Sequence, residues 1–126
     1  MFDLKYFKQL KEQNYKQEPI VYMLFAYEDL ELNTEMPPNE KRTICDERSN
    51  IIYSLMKKEG FPEYPCLWSE HNKVKSKIQK IVSINPYIYI YTLCNGNLNI
   101  YTKSNSTDEI KSYITQKVTT LISRTL

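Results

Sequence analysis

The chain predicts a single α/β domain, and three observations carry that reading. Ile20 to Tyr27 form an almost continuous apolar run opened by Pro19, too uniform for a half-exposed edge and suited to a central strand. Segments of helical period lie before and after it. Residues 85 to 101, "NPYIYIYTLCNGNLNIY", alternate Ile88 and Ile90 with Tyr87, Tyr89 and Tyr91, turn at Asn95-Gly96, and resume the alternation at Leu98 and Ile100. At 126 residues the chain is long enough to bury a modest core without metal or disulfide staples.

The elements follow in order. Leu4, Phe7 and Leu10 are spaced for a short amphipathic helix within residues 1–18, with Lys5, Lys8 and Lys11 on other faces. The strand at 20–27 comes next. "EDLELNTEMPPNE" is acidic, ends in two prolines, and reads as a loop over 28–39. Asn39 can cap a helix from about Glu40 to Glu59, with Ile44, Ile51, Ile52, Leu55 and Met56 inward and Gly60 as its stop. "YPCLW" reads as a short strand. Asn72 can cap a third helix that turns Val74, Ile78, Ile81 and, at its end, Ile84 inward and leaves Lys73, Lys75, Lys77 and Lys80 on its other sides.

Asn85 precedes Pro86 and is pushed away from helical geometry, so the hairpin starts there, with strands at 87–93 and 97–102. Ser106 with Glu109 forms a capping box for a last helix striped by Ile110, Tyr113, Ile114, Val118, Leu121 and Ile122.

Composition narrows the class. A net charge of +2 gives little support to a nucleic-acid binder that works by neutralising phosphate. Cys45, Cys66 and Cys94 are odd in number and far apart, which fits small buried hydrophobes in a reducing compartment. With His71 as the only histidine, no metal site and no cofactor are implied. The start is mixed in charge, unlike a signal peptide, and the charge-free stretch 81–102 is broken by Asn, Ser, Pro and Gly, unlike a membrane span. The expectation is a cytoplasmic protein with no membrane contact. Eleven tyrosines against two glycines, with abundant Ile, Lys and Asn, match the output of an AT-rich genome. An adaptor or inhibitor from a virus or other mobile element, acting in the host-cell cytoplasm, fits that size and composition.

From residue 20 the order is β-α-β-α-β-β-α. With "INPYIYIYTLCNGNLNIYTKSNSTDEIKSYITQKV" it resembles the thioredoxin-like fold: a proline opening a strand, an NG turn, a second strand and a capped terminal helix. The resemblance implies a central four-stranded mixed sheet with helices on both faces, here with an extra N-terminal helix. It also implies a cis bond at Pro86. The family's redox pair sits between the first strand and the next helix, and in this chain Tyr27 to Arg42 contains no cysteine. Without a thiolate, disulfide exchange cannot begin.

Three functions follow. The first is a non-redox protein-binding domain whose contacts come from Glu28, Asp29, Glu31 and Glu35, from Asn85, Pro86 and Tyr87, and from Trp68. The second is a thiol- or glutathione-dependent enzyme working through Cys66 or Cys94, with His71 nearby in sequence. The third is a small nucleic-acid binder using the tyrosine stripe and the helix lysines. Against it, the simpler reading packs Tyr87, Tyr89 and Tyr91 beneath a helix.

Overall fold

A computed structural model of the chain describes residues 2–3 and 20–125. Its elements are β1 (Phe2–Asp3), β2 (Ile20–Tyr27), α1 (Glu28–Leu32), α2 (Pro38–Lys58), β3 (Cys66–Leu67), α3 (Trp68–Ser83), β4 (Ile88–Cys94), β5 (Asn97–Tyr101) and α4 (Asp108–Thr125). The expected N-terminal helix falls mostly outside the described residues. Phe2 and Asp3, the two that are described, pair as a strand with Ala26 and Phe25.

The alternation of β2 sets the layers. Val21, Met23, Phe25 and Tyr27 face α2 and α3 in a core with Ile52, Met56, Ile78, Ile88 and Ile90. Tyr22, Leu24 and Ala26 face α4 in a second core with Tyr89, Tyr91, Ile114 and Val118. The apolar run is continuous because both faces of this strand are covered.

The sheet is antiparallel throughout, not mixed. β4 pairs with β2 from Val21↔Cys94 to Tyr27↔Ile88, and β5 pairs with β4. β3 also runs against β2, through Ile20↔Leu67 and Val21↔Cys66. The path of α2 explains the direction. Ser49 meets Tyr27 at the end of β2, and Tyr53 meets Phe25 two residues back. The chain then carries on the same way, so it reaches Val21 and Ile20 still running opposite to β2.

Several boundaries differ from expectation for local reasons. Residues 28–32 form α1 instead of a loop, because Leu30 is buried against the first core. α2 starts at Pro38, where a missing N–H costs nothing, and not after an Asn39 cap. Ile51 is exposed, while Cys45, Ser49, Ile52 and Met56 form its buried side. α3 starts at Trp68, four residues before Asn72, and Glu70 accepts from the Leu67 N–H at 3.4 Å. At α4 the Ile110 N–H reaches Thr107 Oγ1 at 3.4 Å, and Ser106 lies outside the helix. The hairpin turn is as read, with φ of +52° at Asn95 and +81° at Gly96. The cis proline bond among the described residues is Tyr64–Pro65; Asn85–Pro86 is trans. Among the described residues no helix is long and apolar enough to cross a membrane.

Candidate functional site

The sequence-predicted contact residues divide between the two ends of β2. At the Tyr27 end, the Glu28 N–H donates to the Tyr87 carbonyl at 2.8 Å, which ties α1 to the loop before β4. Asp29 takes a bidentate pair from Arg48, 2.7 Å to each oxygen. The Arg48 guanidinium lies 4.8 Å from the centroid of the Tyr87 ring and 5.5 Å from that of Tyr27. Planar stacking and a forked ion pair on the same guanidinium fix it in place. Asn85 donates to the Ile81 carbonyl at 3.0 Å, and the Asn33 carboxamide oxygen accepts from the Glu35 and Met36 N–H groups, each at 3.0 Å. The result is an ordered corner built from α1, α2 and residues 84–87.

This corner shows apolar surface beside charge. Ile84 is 65% exposed and Tyr87 37% exposed, with Leu32, Pro86 and Glu35 also exposed. Two of the acidic residues are committed inward. Glu28 accepts from the Tyr89 hydroxyl and from Ser104 Oγ, the latter at 2.9 Å. Glu31, only 7% exposed, pairs with Lys117 at 3.2 Å.

Electrostatics keep the groups at this end charged. Partial burial pushes the Glu28 carboxyl up, but hydrogen bonds from Tyr89, Ser106 and Ser104 and the Lys111 charge outweigh it, so the net shift is downward. Asp29 follows the same pattern: desolvation raises it, and Arg48 with two backbone N–H groups lowers it further. The hydrogen bond to Asp29 raises Arg48 against the opposing effect of burial.

The Ile20 end is different. Cys66 and Cys94 flank Val21 on neighbouring strands. Two interstrand spacings put their Cα atoms roughly 9–10 Å apart, beyond disulfide reach. Burial pushes the Cys66 thiol up to about 12, and it raises Cys94 as well. His71 is buried with Nδ1 2.7 Å from the Tyr64 hydroxyl; desolvation and then the Lys75 charge lower its pKa. Trp68 is 41% exposed with its ring 5.8 Å from the imidazole. Cys45 is buried on the inner side of α2, its Sγ 4.0 Å from Ser49 Oγ. Among the described residues no three His, Cys, Asp or Glu side chains are grouped to hold a metal ion.

Glu28, Asp29, Asn85, Pro86 and Tyr87 therefore meet at one corner. Trp68 sits at the far end of a strand roughly 23 Å long. Glu31 turns toward α4. Sequence reasoning missed Arg48, the residue that organises the corner. Its signal was present: Arg48 lies four residues after Ile44 and four before Ile52, on the inward stripe of its helix.

The tyrosine stripe also divides. Tyr89 and Tyr91 are buried beneath α4, with the Tyr91 hydroxyl 3.0 Å from Thr115 Oγ1, whereas Tyr87 belongs to the corner. No protein-family model, no curated protein and no solved structure matches this chain.

Proposed function

We propose that this chain is a non-catalytic domain that binds another protein through the corner at the Tyr27 end, as an adaptor or inhibitor does. The observation that carries the reading is the fixed Asp29–Arg48–Tyr87 stack with exposed Ile84 and Pro86 beside it. Clamped side chains lose little further freedom on binding, and an aromatic ring backed by arginine is a common interface anchor. We also read the fold as a departure from the thioredoxin-like plan. The spatial order β3-β2-β4-β5 and the proline loop beside the end of β2 support this. The antiparallel β3 and the trans Pro86 depart from it.

The alternatives have less support. A thiol enzyme needs an accessible thiolate, and Cys66 is buried with its proton held. A base-stacking platform needs exposed rings, and Tyr89 and Tyr91 are under α4.

The test compares variants in a pull-down from native lysate read by mass spectrometry. Tyr87→Ala with Glu35→Lys is expected to lose the captured protein while the melting temperature stays put. Trp68→Ala is expected to keep it. Equal capture by the corner variant overturns the proposal.

A further inference from the structure

The hairpin turn has a second consequence, on the outer side of β5. In a two-residue hairpin the residues flanking the turn exchange hydrogen bonds, so Cys94 and Asn97 form a bonded pair. Bonded and non-bonded pairs then alternate. Asn99 and Tyr101 bond inward to Thr92 and Ile90, which leaves the N–H and C=O groups of Leu98 and Ile100 aimed away from the sheet. Among the described residues no backbone or side-chain hydrogen bond reaches those four groups.

Exposed edges are usually blunted by lysine, proline, a bulge or a covering segment. β5 has none of the first three: residues 81–102 carry no Asp, Glu, Lys or Arg, and Asn97–Tyr101 pair with β4 without a bulge. Its side chains are also suited to meet their own copies. Ile100 is 43% exposed and Leu98 half-buried, both on the face that α4 covers, and Asn97, Asn99 and Tyr101 lie on the other face.

We propose that two copies of this chain pair through β5, antiparallel about a two-fold axis at Asn99. In that register Leu98 of each copy opposes Ile100 of the other, and the four outward groups on each copy complete four hydrogen bonds. The two apolar pairs fall on the same face, next to α4. Asn99 faces its own copy across a non-bonded position. Lys103, the first charge after the strand, falls opposite the neutral Asn95, so no like charges are opposed. This neutral, self-matching register is why the occupant is a second copy and not a charged peptide. The surface is separate from the corner at the Tyr27 end.

Sedimentation velocity over a concentration series tests the pairing. Wild type is expected to show a reversible monomer–dimer equilibrium. Ile100→Pro removes an outward N–H from each copy and leaves the β4 ladder intact; it is expected to weaken association about tenfold with little change in melting temperature. The register has its own test. Opposed Cα atoms at a non-bonded position are about 4.5 Å apart, within disulfide reach. Asn99→Cys is therefore expected to form a covalent dimer under mild oxidation faster than Asn97→Cys, whose partner position is Tyr101, and faster than wild type with its native thiols. A wild type that stays monomeric throughout, including one whose edge takes up only a foreign peptide, overturns the proposal. Equal cross-linking of the two cysteine variants does so too.

Discussion

The two ends of β2 treat ionisable groups in opposite ways. At the Tyr27 end, Glu28, Asp29 and Arg48 are each stabilised in the charged form by a partner. At the Ile20 end, Cys66, Cys94, Tyr64 and His71 are all held neutral, chiefly by burial. The difference is one of residue type, reinforced by solvent and pairing, since carboxylates and arginine are charged near pH 7 in water and thiols and phenols are not. The first end therefore carries a fixed, paired set of charges. At the second, burial disfavours the Cys66 thiolate, pushing its pKa up to about 12.

Placing a charge at the neutral end is the most disruptive way to break this contrast. Cys66→Asp puts a carboxylate where nothing pairs it, and is expected to cost about 3–5 kcal/mol by urea unfolding. A smaller loss follows from Tyr64→Phe, which takes away the hydroxyl on His71 Nδ1. The expected cost is about 1–3 kcal/mol. At the charged end, Arg48→Met should cost only about 1 kcal/mol, because Asp29 is half exposed and water replaces part of what is lost. Added salt should narrow that difference.

The pH dependence sharpens the comparison with the smallest effect. His71 has a lowered folded pKa, so below about pH 6.5 the unfolded chain takes a proton that the folded chain refuses, and stability falls with acid. Glu28 and Asp29 also have lowered folded values. Their contribution is present above the ordinary carboxylate range and is lost as pH falls through the folded values. His71→Gln should flatten the first decline and leave the second, as read by chemical unfolding at several pH values. A first decline unchanged in that variant would assign it elsewhere.

The legible parts of the sequence were those with a local signature. Ile20–Tyr27 announced a strand covered on both faces, and Asn95-Gly96 announced a tight hairpin, because apolar continuity and positive φ are properties of a few neighbouring residues. The direction of β3 was not legible. It depends on where α2 delivers the chain, and only two residues pair. α1 was hidden because three of its five residues are acidic, while its one buried apolar residue, Leu30, decides its conformation. The corner was half legible: Asp29 and Tyr87 were named, but the bond between them runs through Arg48, nineteen residues away from Asp29.

Trp68 is the only tryptophan, and its indole lies beside the His71 imidazole. Its fluorescence therefore reports on the Ile20 end. A ligand engaging Arg48 and Tyr87 would leave the indole emission unchanged. One that shifts it has touched the opposite end of the strand.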